Sequence, residues 1–527
     1  MKRKHLILFL FFICSSLILG TQNSFPQTQF QLVIGDSSNT AEARSIIQTT
    51  DGGFIAVGRN YWPGGHMYIV KLTSTGQMQW SKTIGSLGDD LALSVFQTSD
   101  GGYVVSGLGS YFGSGIAGPF IVKLTSEGIV EWARVLVGDL LGAAYSIIQT
   151  SDGGYATVNS MDEGGGTFRV TIVKLNNMGL LQWSKKIGTS YGRCIKQTTD
   201  KGYIVAGATW SFGEDMLVVK LDSNGTLQWA KTIGGKGSDF AYSIVQTTDG
   251  GYAVAGRTSS FPDGDKMYIV KLDSSGLIQW TKVVSVFLDE AFSIVQTTDG
   301  GYAVAGYTGA HSSMLILKLN PDGSLQWSRV VDCGTGQMYA KSIVQSTDGG
   351  YVAAGFGGIW GATGMFIVKL DNNGNTCGNT VSHNISIDSG GILNSHTPTV
   401  TDFFIIDTLV TPTIGSHGYV NTMCVIGIQQ ISNVIPDSYK LYQNYPNPFN
   451  PTTNIKFATP RDGNVKISIF DLLGKEVFST NEYKQAGSYE LMFDGSKLAS
   501  GLYFYSIKAE TSQRDVFTET KKMVLIK

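Results

Sequence analysis

A short sequence pattern recurs about every fifty residues through most of this 527-residue chain. Each copy has a Gln three residues before an Asp and, further on, a Lys-Leu pair, and all but the last carry a Trp after that pair. The Asp residues are Asp51, Asp100, Asp152, Asp200, Asp249, Asp299 and Asp348, all but Asp200 followed by Gly-Gly. A period of this length indicates an architecture of stacked, similar units.

The copy from Ala241 to Lys282 indicates what one unit folds into. Two short runs rich in β-branched residues flank the turn at Thr248–Gly251, where Asp-Gly accepts the positive φ that tight hairpins need. Two further runs, Met267–Leu272 and Leu277–Lys282, flank a second turn. Four short antiparallel strands per repeat, without a helical period, predict the blade of a β-propeller.

The two ends of the repeat region complement each other. The last repeat has Gly378 where the Trp is expected. The segment Gln29–Gly35 matches Gln182–Gly188 of a complete repeat, with Phe30 in the Trp position. We therefore predict that the first strand completes the seventh blade, which removes an exposed sheet edge. The predicted fold class is all-β: a seven-bladed β-propeller over residues 28–377 closed by the N-terminal strand, followed by a small immunoglobulin-like β-sandwich.

The N-terminus has the pattern of a secretory signal. Three basic residues precede the apolar run Leu6–Leu19, which is too short to span a bilayer. Residues 1–24 are predicted to be a signal peptide, and no membrane span is expected after its removal. The net charge of −2 gives no general attraction to nucleic acid. The five cysteines form no C-x-x-C pair, and Cys377 and Cys424 are a candidate disulfide.

The hairpin from Asp222 to Trp229, with the pattern Asp-x-x-Gly-x-x-x-Trp, resembles the tryptophan-docking repeats of quinoprotein-like propellers. The longer pattern Gln-Thr-x-Asp-Gly-Gly-Tyr resembles repeats of secreted bacterial propellers, over residues 29–377. Quinone enzymes of this kind usually have eight blades and a vicinal Cys pair, whereas this chain has seven repeats and no such pair. The resemblance therefore implies the fold, and we expect no cofactor and no metal.

The last part of the chain has a different character. Residues 378–438 are a linker or a small β module. Residues 439–527 closely resemble the type A sorting domain of the type IX secretion system, which implies export to the extracellular space or outer cell surface of a Gram-negative bacterium. The alternative is a generic carbohydrate-binding or adhesive sandwich. In the family the tail is commonly removed, and the cargo is released or attached to surface polysaccharide. The candidate residues for recognition by the translocon are Asn444, Pro446, Asn447, Pro448, Phe449, Asn450, Pro451, Gly474, Gly501, Lys521 and Lys522.

Functional residues are expected where the repeats differ, because a site needs unlike groups that converge on one point. The repeated Gln and Lys are therefore predicted to tie blades together and cap strands. The loops between second and third strands vary, and acids such as Asp90, Asp239 and Asp289 lie in the blade-to-blade connections on the same predicted face. The candidate ligand-binding aromatics of these loops are Tyr61, Trp62, Tyr111, Phe112, Trp210, Phe212, Phe261 and Trp360.

Aromatic faces beside carboxylates suit a glycan or a peptide, although such aromatics also plug blade ends. No H-E-x-x-H, G-x-S-x-G or P-loop motif occurs. We predict a secreted or cell-surface binding or structural protein without catalytic residues, whose ligand is a glycan or another protein. The alternative is an extracellular glycoside hydrolase or lyase acting at the propeller face.

Overall fold

The computed structural model describes most of the chain from residue 28 onward. The described residues are 28–35, 41–61, 65–86, 88–112, 116–137, 141–162, 168–209, 214–262, 264–285, 289–309, 313–331, 337–359, 362–377, 380–381, 386–388, 392–395, 400–402, 406–409, 413–415, 419–426, 428–432, 435–495, 498–510 and 516–526. The predicted signal peptide lies outside them. They form strands and turns, and no helix among them is long and apolar enough to cross a membrane.

The repeat region contributes the first group of strands. These are β1 (Gln29–Gly35), β2 (Ala41–Gln48), β3 (Phe54–Asn60), β4 (Met67–Leu72), β5 (Met78–Gly85), β6 (Leu91–Gln97), β7 (Tyr103–Phe112), β8 (Ile116–Leu124), β9 (Val130–Val137), β10 (Leu141–Gln149), β11 (Tyr155–Asp162), β12 (Phe168–Leu175), β13 (Leu181–Gln197), β14 (Tyr203–Thr209), β15 (Met216–Leu221), β16 (Leu227–Gly234), β17 (Asp239–Gln246), β18 (Tyr252–Thr258), β19 (Lys266–Leu272), β20 (Ile278–Ser285), β21 (Glu290–Gln296), β22 (Tyr302–Thr308), β23 (Ser313–Leu319), β24 (Leu325–Val331), β25 (Tyr339–Gln345), β26 (Tyr351–Ile359) and β27 (Ala362–Leu370).

The remaining strands follow the repeats. They are β28 (Thr380–Val381), β29 (Ser386–Asp388), β30 (Ile392–Ser395), β31 (Val400–Asp402), β32 (Ile406–Leu409), β33 (Thr413–Gly415), β34 (Tyr419–Ile426), β35 (Ile428–Ser432), β36 (Lys440–Leu441), β37 (Thr452–Thr459), β38 (Gly463–Phe470), β39 (Glu476–Lys484), β40 (Gly487–Asp494), β41 (Gly501–Glu510) and β42 (Val516–Leu525).

Each repeat forms four antiparallel strands that pair in chain order. The sets are β2–β5, β6–β9, β17–β20 and β21–β24, together with β10–β13 and β13–β16, which share the long strand β13 and so join into one sheet. This is the predicted all-β architecture of repeated four-stranded sheets, and it is β-propeller-like.

The sheet of the last repeat takes its fourth strand from the N-terminus. Strand β1 pairs with β27, with Phe30 opposite Lys369 and Ile34 opposite Met365, as the sequence match predicts. The buried Phe30 ring meets Phe54 of the next sheet at a centroid distance of 6.2 Å. Trp80 and Tyr103 make the same contact between their sheets at 6.1 Å. Phe30 therefore performs the packing role of the repeated Trp.

Neighbouring sheets are joined by the repeated Gln. The Gln97 side-chain carbonyl accepts a hydrogen bond from the Thr50 backbone N–H at 2.8 Å, in the turn of the preceding repeat. The same bond joins Gln48 of the first repeat to Thr347 of the last, also at 2.8 Å. The expected role of the Gln in tying sheets together is thus present. Equivalent bonds are made by Gln149, Gln197, Gln246, Gln296 and Gln345.

Each of these turns is itself held by the repeated Asp and Lys. Asp249 accepts hydrogen bonds from Thr247, from the Gly251 backbone N–H at 3.0 Å and from Lys271 Nζ at 2.8 Å. Lys271 is almost fully buried and also donates to the Leu272 carbonyl at 3.0 Å. A buried ammonium needs such partners, because burying a charge without them is costly. The Asp–Lys pair therefore holds the turn in the position that the Gln of the next repeat recognises.

The strands β28–β34, which we call the belt, extend the outer edges of the repeat sheets. They pair in sequence with β24, β20, β16, β13, β9, β5 and β1, so the belt passes the repeats in reverse order. The segment that the sequence left open as a linker or a small module thus provides a further antiparallel strand along each set. Paired edge strands no longer offer free backbone groups to other chains.

The C-terminal residues form two four-stranded antiparallel sheets around one core. The sheet orders are β35-β40-β37-β36 and β39-β38-β41-β42. Phe457, Ile467, Tyr505 and Met523 are fully buried in the shared core. The belt leads directly into this unit, because β35 follows β34 and pairs with β40.

The cysteines are only partly described. Cys194 is free and buried, and Cys377 takes part in a disulfide. The side chain of Cys424 lies outside the described ones, so the predicted pairing of Cys377 with Cys424 stays a prediction.

We expect Phe30→Ala to lower the free energy of unfolding by about 3–4 kcal/mol, because a buried Phe is lost at the junction of the first and last sheets. Urea denaturation measures this loss. Phe30→Trp is the matched control and should retain most of the stability, since Trp fills this position in six other repeats. A loss below about 1 kcal/mol for Phe30→Ala would show that β1 does not hold the last sheet.

We also expect the protein to lose stability as the pH falls from about 4 to 2. Burial alone would raise the pKa of Asp100, but hydrogen bonds from Thr98, Lys123 and the Gly102 backbone lower that pKa to about 2. The same holds for Asp152, Asp200 and Asp249. A carboxyl whose pKa is lower in the folded state than its unfolded value of about 3.9 stabilises the fold at pH values above 3.9. This contribution to stability is lost as the pH falls from there through the folded-state pKa. Urea midpoints across this range measure the effect, and Asp249→Asn should reduce the slope. A flat profile between pH 4 and 2 would contradict it.

Candidate functional site

The first strand of every repeat carries a β-bulge at the same place. In β2 the register with β3 shifts between Ala43 and Ser45, so Arg44 is the extra residue. A bulge re-aims the side chain of its extra residue. We call the extra residues of the repeats the bulge cluster: Arg44, Leu93, Tyr145, Arg193, Tyr242, Phe292 and Lys341.

Glycines in the second strands make room for these bulges. A Cβ at Gly256 would overlap the backbone carbonyl oxygen of Phe240, two residues before the bulged Tyr242. Gly58 and Gly306 stand in the same relation to Glu42 and Glu290. The glycine that ends the run Tyr-Ala-Val-Ala-Gly thus permits the close approach of two backbones at the bulge. In one repeat Asn159 occupies this position opposite the bulge of β10.

The side chains of the bulge cluster meet one another across neighbouring sheets. Lys341 Nζ lies 3.1 Å from the centroid of the Phe292 ring, whose centroid is 5.2 Å from that of Tyr242. Arg193 Cζ lies 4.3 Å from the centroid of Tyr145. The first strands contact each other in chain order, and β25 of the last repeat also contacts β2 of the first. Unlike side chains are thereby brought together at the inner edge of similar sheets.

Two cations of the bulge cluster form no ion pair with any acid in the part of the chain that the structure describes. Arg44 is paired with Glu42 at 2.7 Å, and Arg59 approaches the same carboxylate at 3.2 Å. Among the described residues, neither Arg193 nor Lys341 has a carboxylate within ion-pair distance. The Nε of Arg193 is buried without a hydrogen-bond partner in the same part of the chain. Both cations are half-buried and lie against aromatic rings instead.

The surroundings shift the ionisation of this cluster. Burial, followed by the nearby charge of Arg44, lowers the pKa of Lys341 to about 7, although Glu290 and Glu42 oppose the shift. Burial raises the pKa of Glu290 in spite of Arg257 and Lys341. Lys341 therefore changes charge near neutral pH, which ordinary lysines do not do.

One predicted loop aromatic is connected to the bulge cluster. Arg59 donates to the Tyr61 hydroxyl at 2.9 Å, and its Cζ lies 4.1 Å from the ring centroid. Because Arg59 also approaches Glu42, the chain of contacts runs from Tyr61 to Arg44. Tyr61 is 43% exposed.

The other predicted ligand-binding aromatics are placed differently. Phe261 is half-buried and packs on Tyr268 at a centroid distance of 6.3 Å, within the core of its sheets. Tyr111 and Phe112 end strand β7, but their side chains are not among the described ones. Trp62, Trp210, Phe212 and Trp360 lie outside the described residues. For this set the ligand-binding role stays a prediction.

The acids of the connections are mostly turned inward. Asp90 accepts backbone hydrogen bonds from Ser86 at 2.6 Å and Ser110 at 2.9 Å, and burial raises its pKa. Asp239 is fully buried and braces its connection in the same way. Its carboxylate and that of Asp215 both border the space that a Cβ at Gly234 would fill, and burial raises the pKa of each. These two acids form a carboxylate pair.

The sequence reasoning missed the bulge cluster. Its signal is the variable residue in an otherwise constant stretch, as in Ala43-Arg44-Ser45, Ala241-Tyr242-Ser243 and Ala340-Lys341-Ser342. The extra residue also shifts the alternation by one position, so that the buried Ala241 and Ile244 are three residues apart. Variation at one position between constant neighbours is therefore the sequence signal that could have revealed this cluster.

The predicted sorting residues come together at one end of the C-terminal unit. Asn444 is buried. Its backbone N–H donates a hydrogen bond to the Tyr505 hydroxyl at 2.8 Å, and its side-chain amide donates one to the Thr453 hydroxyl at 2.9 Å. The Val524 N–H donates to the Asn447 side chain at 2.9 Å, and the buried Phe449 donates its N–H to the Val524 carbonyl at 2.9 Å. The Asn-Pro motif is thus attached to the last strand.

The remaining sorting candidates lie around this contact or on separate turns. Pro446, Pro448, Asn450 and Pro451 are exposed beside the buried anchors. Lys521 and Lys522 are in β42, where the Lys522 carbonyl accepts a hydrogen bond from Gln443 at 2.8 Å. Gly474 has a φ of 79° in its turn, and Gly501 begins β41. Their recognition role stays a prediction.

We expect Gly256→Ala to lower the free energy of unfolding by about 3 kcal/mol, since the added methyl overlaps a backbone oxygen. Gly250→Ala is the matched control: its φ of 83° is unfavourable for Ala, but nothing lies within 4 Å of the new methyl. It should cost about 1 kcal/mol. Urea denaturation of both variants measures the difference, and equal losses would show that the bulge imposes no close approach.

Comparison with known proteins identifies the C-terminal unit. Residues 443–525 match the family of the secretion system C-terminal sorting domain. No curated protein matches the sequence.

Solved structures show distant likeness. A protein of unknown function from Dyadobacter fermentans is 12% identical with a TM-score of 0.40, over 65% of this chain and 99% of that one. The extracellular domain of a hybrid two-component system of B. thetaiotaomicron is 9% identical with a TM-score of 0.31, over 92% of this chain and 68% of that one. The functional assignment rests on the family match alone. Residues 443–525 are a type IX secretion C-terminal sorting domain, which indicates secretion to the extracellular space or cell surface.

Proposed function

We propose that residues 28–377 form a closed seven-bladed β-propeller and that residues 439–527 form an immunoglobulin-like sandwich. Three contacts between the first and last repeats support closure of the ring. These are the pairing of β1 with β27, the Gln48–Thr347 hydrogen bond and the contact of β2 with β25. The bulge cluster then lies at the axis of the propeller. Residues 378–438 serve as the belt and the connection to the tail.

We propose that the protein is a secreted or cell-surface binding protein that performs no reaction, with a glycan or protein as its ligand. The observation that carries this proposal is the bulge cluster, in which similar sheets direct unlike cationic and aromatic side chains to one place. Tyr61, which is exposed and connected to Arg44 through Arg59 and Glu42, extends this surface outward. The loop aromatics Trp62, Trp210 and Trp360 are proposed to enlarge it.

The tail supplies the proposed second partner. By its resemblance to the sorting family, the region where Asn444–Pro451 meets β42 is proposed to contact the type IX translocon. Its buried anchors, Asn444 and Phe449, keep the exposed prolines in place. Attachment of the exported protein to surface polysaccharide is a proposal on the same basis.

A second candidate function is a glycoside hydrolase or lyase. The carboxylate pair of Asp215 and Asp239 favours it, because burial raises the pKa of both groups and a protonated acid is what such chemistry needs. The pair lies at the end of its sheets, where Asp239 is already held by the Gly235 N–H and the Ser260 hydroxyl. These bonds reduce its freedom to act on a substrate, so binding without reaction is the first proposal.

The test is a glycan array and a polysaccharide pull-down on the secreted protein, with mass spectrometry of the hits. We expect binding without product, weakened about tenfold by Tyr61→Ala. Tyr483→Ala is the matched control, because Tyr483 is 66% exposed but lies in the C-terminal unit. If the protein releases a product and Asp215→Asn abolishes that release, the protein is an enzyme and the binding proposal is wrong. If Tyr61→Ala and Tyr483→Ala weaken binding equally, the binding site does not lie on the propeller.

A further inference from the structure

We infer that the bulge cluster receives the anionic group of an acidic sugar, with Arg193 and Lys341 as its ligands. This inference rests on the proposed binding function and names the chemical class of the ligand. The anionic group is a carboxylate or a sulfate carried on a sugar ring. Its binding places a negative charge beside two cations that, among the described residues, have no carboxylate within ion-pair distance.

The first support is the position of the two cations. Lys341 Nζ lies between Phe292, at 3.1 Å from the ring centroid, and Tyr339, at 4.7 Å. Arg193 Cζ lies 4.3 Å from the centroid of Tyr145 and 5.9 Å from that of Tyr191. Each cation is thus flanked by two aromatic rings. Rings of this kind also offer faces to the C–H groups of a sugar.

The second support is that the acids described near the two cations are already paired with arginines. The charged groups that face Lys341 from the neighbouring strands are Arg44, Glu290, Glu42 and Arg193. Glu42 is already paired with Arg44 and Arg59, and Glu290 lies 3.6 Å from Arg257. Within the described residues, the bulge cluster itself contains three cations and no carboxylate. The positive charge of Arg193 and Lys341 is therefore left for an anion.

The third support is the cost of this arrangement without a ligand. A half-buried cation without a counter-ion is unfavourable, and a lysine relieves the cost by losing its proton. Burial and Arg44 push Lys341 in this direction. A bound anion reverses the balance, so binding should be accompanied by uptake of a proton and should weaken as the pH rises above 7.

The experiment is isothermal titration calorimetry of the full secreted chain with four probes: trigalacturonate, its neutral counterpart galactotriose, a sulfated galactose trisaccharide and inorganic sulfate. We expect an acidic trisaccharide to bind at least tenfold more tightly than the neutral one. Lys341→Met and Arg193→Met should each reduce that affinity about tenfold. The affinity should fall between pH 6 and pH 8 in the parent and not in Lys341→Met. The carboxylated and sulfated probes distinguish the two anionic groups.

Lys196→Met is the matched control, since Lys196 is exposed on the same strand as Arg193, three residues away. Thermal unfolding of each variant verifies that it folds. Equal affinity for acidic and neutral probes overturns the inference and leaves the binding function in place. Binding of inorganic sulfate without either acidic sugar overturns it too, because the ligand is then a free ion. If acidic sugars do not bind but the glycan array gives a hit that depends on Tyr61, the inference is wrong and the proposed binding function remains. No hit of any kind overturns both.

Discussion

The repeat region depends on one hydrogen bond, made by a Gln side chain to the backbone of a turn in the preceding repeat. That bond exists because the turn is held in place from within its own sheet. Asp249 binds the Gly251 N–H and Lys271, and only then is the Thr248 N–H presented to Gln296. The Trp of each repeat packs against the next on the same side of this junction. Hydrogen bonding and aromatic packing thus act together at the boundaries between sheets. At the boundary between the last and first repeats, Phe30 and Gln48 make the equivalent contacts.

The bulge cluster follows from the same regularity. Every first strand contains a bulge, and a glycine of the second strand lies opposite it in every repeat except one, where Asn159 takes that place. The extra residues contact one another across neighbouring sheets but lie outside the buried core between the sheets, which Ala, Val and Ile side chains fill. Their identity is therefore free to vary without loss of the fold. Variation at this one position of each repeat gives an asymmetric surface to an otherwise symmetric arrangement of sheets.

The sequence predicted the parts that depend on local pattern. The turn at Asp249, the strand role of Gln29–Gly35 and the sorting segment after Tyr439 each have a distinct residue signature. Most of the belt could not be predicted, because its strands other than β34 have only two to four residues, as in Thr380–Val381. Such short strands have no measurable period and form by pairing with an existing edge. The cluster around Arg193 and Lys341 was missed because strict period-two alternation was assumed for each strand, whereas the bulge shifts that pattern by one residue. Phe261 is half-buried and packs against the core through Tyr268, so its expected place on a binding surface stays a prediction.

The belt changes how the chain would respond to a protease. Because it passes the repeats a second time, in the opposite direction, each set of strands is held by two separate stretches of backbone. A cut in one loop between repeats leaves the fragments joined by the belt strands. A cut within the belt leaves the Gln and aromatic contacts between sheets intact. Fragmentation therefore requires at least two cleavages at separate places, which suits a protein that works outside the cell.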